Sequence, residues 1–331
     1  MNTSTNRPTY RHLDLKRDLL PLVRLLNEIK QADHDDEEIS EAELREQLTW
    51  SGQDPTDDNW VVDAPGEAHR RPGDKSLLIA WGQLQKTSID ENADLGIFVH
   101  PSWRRQGIGS RLLAILLSHA HELKAQAARS YVDVRNQGAQ LFAQRHAFEP
   151  VSTYTHMKVS TAHPFPPAEL PPGFITRTYD QVQRIDLYTQ AMNRSYEGLW
   201  GHLQTSEAEH AQSLPQLRQE DIFLLFAPGG EVAGICRAFI NKQLTTRRGQ
   251  PTGYIDASGI VPEYRSANLY LPLFLTALHH LLSQTPTTIE LESWGDLPET
   301  LTLYRNLGFT PLKEEISYRR DLTNFSNRMG K

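Results

Sequence analysis

The sequence predicts a mixed α/β protein made of two similar domains in tandem. Three observations carry this. The first half runs through the two hydrophobic periods in the order strand, helix, helix, three strands, helix, strand, helix, strand. A central stretch, His163 to Pro172, has five prolines in ten residues, which neither a helix interior nor a central strand accepts. Beyond it the pattern starts again at a fixed spacing. Pro101 and Pro262, Trp103 and Tyr264, Arg104 and Arg265, and Ala147-Phe148 and Gly308-Phe309 all lie 161 positions apart. A single spacing held over a long stretch argues for a duplicated fold. The expected bounds are 1–160 for the first domain, 161–173 for a semi-extended linker and 174–331 for the second.

The elements follow in order. Thr9 to Leu13 reads as a strand. Asp14 then caps a helix whose apolar face is Leu19, Leu20, Leu22, Val23, Leu25, Leu26 and Ile29. The acidic run Asp33 to Glu38 reads as a solvated connection. Ser40 and Glu43 form a capping box for a second helix through Leu48. Strands are expected over 59–63, 76–86 and 90–99, with a polar turn over 65–75. A long helix begins near Ile108, a fifth strand is expected over 131–135, and a helix leads to a last strand over 149–159. In the second half the expected elements are a strand over 174–179, a helix over 182–196, strands over 221–226 and 231–241 around a Gly229-Gly230 turn, and a counterpart of the central strand over 254–261.

The chain has 331 residues, 38% hydrophobic and 23% charged, enough for a sizeable core in each half. A formal charge of −7 argues against a general nucleic-acid or membrane-surface binder. A single cysteine, Cys236, excludes a disulfide framework and a cysteine metal cluster, and is compatible with the cytoplasm. The first residues have no apolar core of a secretion signal, and no apolar run is long enough to span a bilayer. The histidine pairs His119/His121 and His279/His280 lack a third ligand at suitable spacing, so no metal is expected. Trp50, Trp60, Trp81, Trp200 and Trp294 read as core or pocket wall.

One stretch points to chemistry. Gly96 to Val99 ends a strand, His100-Pro101 turns it, and Arg104-Arg105-Gln106-Gly107-Ile108-Gly109-Ser110 opens an amphipathic helix. The first amides of a helix lack internal partners and its dipole favours an anion there. Gly107 and Gly109 would let a diphosphate approach the backbone. The nucleotide-triphosphate loop is excluded because no lysine follows, and the dinucleotide pattern because its third glycine is missing. The pattern Arg-x-x-Gly-x-Gly after Val-His-Pro resembles the acyl-CoA motif of the GNAT superfamily of N-acyltransferases. The element order of the whole first half matches that resemblance, and the duplicated form resembles tandem acetyltransferases of the mycothiol synthase type.

The resemblance implies two tandem GNAT domains and acetyl-CoA as acyl donor. Ile97, Phe98 and Val99 would meet the pantetheine and polarise the thioester carbonyl, and Arg104, Arg105, Gln106, Gly107, Ile108, Gly109 and Ser110 would hold the pyrophosphate. Asn136 would bond the pantetheine arm. The two N-terminal helices would wall the acceptor pocket. Ala143 stands where the family's tyrosine acid is expected, while the second copy has Tyr304 at the matching place. Asp94, in phase with Gly96 and Phe98, is the candidate base among Asp90, Glu91 and Asp94. His100 is expected to be structural. The second copy has Asn268 and Tyr270 at the positions of Gly107 and Gly109 and should bind coenzyme poorly. Cys236 lies in that copy and is an unlikely acyl carrier. The implied function is direct acetyl transfer to a primary amine of a small molecule or peptide, by a monomer or homodimer. The alternative is an acetyl-CoA-binding sensor without turnover. Catalysis by the second copy is a third reading.

Overall fold

The computed structural model describes residues 7–33, 38–49, 54–66, 77–86, 91–199, 204–295 and 297–323. Trp50, Asp90, Trp200, most of the acidic run and most of the 65–75 turn lie outside them. The chain divides into two compact units, 1–151 with 317–331, and 152–316.

The first unit contains β1 (Thr9–His12), α1 (Leu15–Ala32), α2 (Glu41–Leu48), β2 (Asn59–Asp63), β3 (Leu78–Gln85), β4 (Asn92–Val99), α3 (Ile108–Glu122), β5 (Ala127–Asp133), α4 (Gln137–Arg145) and the end of the last strand, β12 (Thr310–Asp321). Its strand order is β1-β2-β3-β4-β5-β12. Neighbours from β1 to β4 are antiparallel, and β4 and β5 are parallel. Asp14 caps α1 by accepting from Lys16 and Arg17 N–H, and Ser40 and Glu43 form the capping box of α2. Leu19, Leu22, Leu25, Leu26 and Ile29 of α1 and Leu44 and Leu48 of α2 bury against Val61, Leu78 and Trp81. α3 covers the other face of the sheet. It lies so close to β3 that a β-carbon on Gly82 would come within 3.3 Å of Leu112 and Leu116.

The second unit contains most of β6 (Glu149–Ser160), then β7 (Ile175–Thr178), α5 (Tyr179–Val182), α6 (Ile185–Ser195), α7 (Glu207–Ser213), β8 (Ile222–Phe226), β9 (Val232–Ile240), α8 (Lys242–Arg248), β10 (Thr252–Ile260), α9 (Tyr270–Ser283), β11 (Thr288–Trp294), α10 (Pro298–Asn306) and the start of β12. Its order is β12-β6-β11-β10-β9-β8-β7. α9 packs Phe274, Leu278 and Leu281 onto Ile255, Ile289 and Leu291, and α6 packs Tyr188 and Ala191 onto Leu224 and Ile235.

Three differences from the sequence expectations have physical causes. The division by contact returns 317–331 to the first unit and gives 152–160 to the second, where chain order suggested 1–160 and 174–331. Backbone pairing is blind to side-chain identity, so alternation along β6 and β12 shows which face is buried but not which strand lies alongside. The proline-rich stretch packs rather than hangs free: Phe165, Ala168 and Leu170 lie against the second unit's core. The helix expected over 182–196 runs over Ile185–Ser195, and the residues before it, Tyr179–Val182, form a separate helical turn that ends at Gln183, whose φ is 48°.

Candidate active site

The central strand of the first unit opens on one side. β4 pairs with β3 as far as Ala80 opposite Val99, but with β5 only at Asn92, Ala93 and Asp94. From Leu95 onward the two parallel strands part. His100 N–H donates to Ile79 O at 2.9 Å, so alternation turns the Phe98 and Gly96 amides toward β3. Ile97 therefore presents its N–H and C=O, and Val99 its N–H, to the open side, where an extended ligand can pair as an added strand; the Val99 carbonyl is taken by Arg104. The Phe98 amide is directed into the sheet and its ring stacks on Trp81 at 5.0 Å, so Phe98 walls the α1–α2 side rather than polarising a carbonyl.

The loop after β4 is pinned before it reaches the helix. His100 Nδ1 accepts Ser102 N–H at 3.3 Å and its Nε2 lies 3.4 Å from Glu28, a structural role. Arg104 Nε donates to Val99 O at 3.0 Å, and its two terminal nitrogens each donate to Asp33 at 2.8 Å. That guanidinium was expected to add charge to a pyrophosphate; it instead ties the loop to β4 and to the end of α1. Gln106 Nε2 donates to Ser102 O at 3.3 Å. Arg105 and Gly107 take left-handed φ angles of 65° and 81°, the conformation that delivers the chain into α3. The first backbone bond across the helix start is Arg111 N–H to Gly107 O at 3.1 Å. The amides of Ile108, Gly109 and Ser110 precede it at the helix start, where backbone N–H groups can form a cradle for an anion. At Gly109 a β-carbon would meet the Phe142 ring at 3.5 Å and Val99 at 3.7 Å, ordinary contact distances, so these two side chains border the helix start.

Two further named residues have structural work. Asn136 Oδ1 caps α4 by accepting Ala139 N–H at 3.0 Å, leaving its amide nitrogen for a ligand. Both carboxylate oxygens of Asp94 accept from Arg129, at 2.7 and 3.0 Å. The lone pairs a base would use are engaged by a guanidinium, which weakens the case for Asp94 as that base. Ala143 is buried in α4. One residue that the sequence reading did not single out, His146, lies at the end of α4 with Nε2 3.1 Å from Ser110 Oγ. Burial pushes its pKa down, and Arg320 and Arg145 push it further.

The second unit keeps the fork and closes the cradle. β10 and β11 pair in parallel from Thr252 to Ile255 and then part. Arg265 Nε donates to Ile260 O at 3.1 Å, repeating the bond of Arg104 to Val99, while Ser195 and Glu197 carbonyls take its other nitrogen. Asn268 holds the left-handed turn of Gly107 with a φ of 54°. Tyr270, at the position of Gly109, places its hydroxyl 2.5 Å from that of Tyr304. Tyr304 is buried, so the family's acid position in this unit is a packed tyrosine. Beside it Leu271, Thr302, Leu303 and Leu307 line a cavity of about 450 Å³. Cys236 is buried against Ser258 Oγ at 3.0 Å, and burial pushes its thiol up to about 12, unsuited to carrying an acyl group.

His119 pairs with Asp58 and His280 with Asp221, each at 2.8 Å, which accounts for one member of each histidine pair. Among the described residues no group of three or more His, Cys, Asp or Glu side chains is placed to hold a metal ion. No helix among them is long and apolar enough to cross a membrane.

Comparison with known proteins gives a consistent picture. The family model described as Acetyltransferase (GNAT) family matches residues 22–148. The mycothiol acetyltransferase of Kytococcus sedentarius is 28% identical over 265 residues, 77% of this chain and 82% of its own length. That of Saccharomonospora viridis is 25% identical over 229 residues, 67% of this chain and 72% of its own. A GCN5-related N-acetyltransferase from Sphaerobacter thermophilus has the same fold at a TM-score of 0.75 and 18% identity, covering 97% of both chains. A tandem GNAT protein of the clavulanic acid biosynthesis pathway superposes at 0.60 and 16% identity, covering 95% of this chain and 98% of its own.

Proposed function

We propose that this chain is an acetyl-CoA-dependent N-acetyltransferase of the tandem GNAT type, and that it runs the transfer in its first unit alone. The observation that carries the reading is the conjunction of the β4–β5 fork beyond Asp94 with the cradle of Ile108, Gly109 and Ser110 amides. The cradle takes the diphosphate and the open edge at Ile97 and Val99 takes the pantetheine. Gly107, with Arg105 and Gln106 around it, shapes the turn, and the Asn136 amide nitrogen reaches the same arm.

The acyl donor supplies an activated thioester. The chain holds it, turns a Val99 or Ile97 amide toward the carbonyl oxygen, and brings the amine into line beside Phe98 and the α1–α2 wall. Attack by the neutral amine then forms the amide bond and breaks the C–S bond, and CoA leaves as a thiolate that takes a proton from water, with no acyl group held on the protein. Arg129 holds both carboxylate oxygens of Asp94, so the amine's proton leaves through water at the mouth of the site rather than to that carboxylate directly. The acceptor is a primary amine of a small molecule or peptide. The name shared by the curated relatives puts the acceptor of mycothiol acetyltransferases first among those to be tried.

The test is release of free thiol from acetyl-CoA with a panel of amines, for the native chain and Gly109→Tyr. That substitution gives the first unit the side chain that Tyr270 places in the second. It should lower acetyl-CoA affinity more than ten-fold and abolish turnover at ordinary coenzyme concentrations. Unchanged turnover in Gly109→Tyr contradicts the reading. Coenzyme binding without thiol release on any amine favours a sensor.

A further inference from the structure

The duplication lets each position be compared with its counterpart in a unit that has lost the cradle. Positions that shape the loop are preserved. Arg104 and Arg265 make the same bond to the strand before them, and Gly107 and Asn268 take the same left-handed turn. Positions facing the helix start change together. Gly109 becomes Tyr270 and Ser110 becomes Leu271. On the facing helix end His146 becomes Leu307, again 161 positions on. In the first unit the side chains of Ser110 and His146 meet at 3.1 Å. In the second unit their counterparts are two leucines, which line a cavity together with Pro298, Glu299, Thr302, Leu303 and Asn306. A polar pair accompanies the open cradle, and an apolar pair the blocked one.

The imidazole packs on the Phe142 ring at 4.5 Å, an apolar contact that a leucine side chain can also make. The backbone of His146 ends α4 by donating to Phe142 and Ala143 carbonyls, both at 3.1 Å. Leu307 ends α10 in the same way, donating to Leu303 and Tyr304 carbonyls at 3.0 and 3.1 Å. The His146 carbonyl accepts from Arg320 at 3.0 Å, which any residue's backbone supplies. What distinguishes histidine here is a ring nitrogen beside the hydroxyl of the third helical residue, with Arg145 and Arg320 making the neighbourhood electropositive.

We propose that His146 is a phosphate ligand of the coenzyme site: its imidazole and the Ser110 hydroxyl grip the anion that the Ile108, Gly109 and Ser110 amides cradle. The assignment rests on the reading of acetyl-CoA at this loop. It gives the site a side-chain donor in place of the Arg104 guanidinium, which is committed to Asp33. It also makes recognition of the diphosphate depend on α4 as well as α3.

The experiment is calorimetric binding of CoA and of pantetheine, which lacks the phosphates, to the full chain and to His146→Leu. The second unit shows that leucine ends this helix without disturbing it, and a thermal melt checks that the variant is folded. A hydrogen bond to a charged group predicts a rise of about ten-fold or more in the CoA Kd, with the pantetheine Kd unchanged. His146→Gln retains one donor and should show a smaller rise. An equal loss for both ligands, or none for CoA, overturns the assignment. If the native chain binds CoA no better than pantetheine, the loop itself is not a phosphate site, and the proposed function fails rather than the role of His146.

Discussion

His146 also carries a pH signature. In the free protein burial holds its pKa below the ordinary value, and the nearby Arg320 and Arg145 act in the same direction. From α3 it is faced by the neutral Ser110 hydroxyl. An anion bound beside the ring favours the imidazolium and raises the pKa. Binding therefore takes up a proton in the window between the lowered free value and the raised bound one. Affinity for CoA should rise as pH falls through that window. The coenzyme's own phosphates titrate nearby, so the informative quantity is the difference in log Kd between the native chain and His146→Leu from about pH 5 to 8. That difference should widen toward acid; a constant difference means the ring does not titrate with binding. No local motif singles out His146 in the sequence. The visible signal was its replacement by leucine at the duplicated position, which acquires meaning only once Ser110 is seen beside it. Arg104 shows the opposite failure: a basic residue in an anion-binding motif looks like a ligand, and only the position of Asp33, on another element, shows what holds it.

The elements were more legible than the contacts between them. Capping by Asp14, the Ser40–Glu43 box and the apolar face of α1 are local, and they appear where the residues put them. The fifth strand runs over Ala127–Asp133 instead of 131–135 because Ala127 and Ala128, small and buried, carry no alternation to mark its start. α7 and α8 lack long apolar faces and were not foreseen. The fork in β4–β5 is a property of pairing and leaves no trace in either strand alone. The loop that crosses it depends on one arginine in each unit, which separates the two roles. Arg104→Met removes three hydrogen bonds from the loop that feeds the cradle and should raise the CoA Kd about ten-fold or more. Arg265→Met should lower thermal stability by a comparable few kcal/mol and leave the CoA Kd unchanged, because no coenzyme is held by the loop it pins. Calorimetry and thermal melts on both variants measure this; a matching loss of affinity in Arg265→Met contradicts it.

At the scale of the whole chain, the sequence repeat and the compact units are different divisions. The repeat counts residues in order, and by that count each half is one domain. The compact units follow hydrogen bonds and packing, and the first is completed by the chain's far end: Leu322 N–H donates to Gln126 O at 2.8 Å, and Arg320 holds the end of α4. Both divisions agree on the functional asymmetry. One unit has glycine, serine and histidine around a helix start, and the other has tyrosine and two leucines. The most direct measurement of that asymmetry is a crystal structure with CoA bound. The account predicts one coenzyme per chain, its diphosphate on the Ile108 to Ser110 amides and its pantetheine along Ile97 and Val99, with nothing beside Tyr270. Coenzyme found only in the second unit, or lying away from β4, would contradict it.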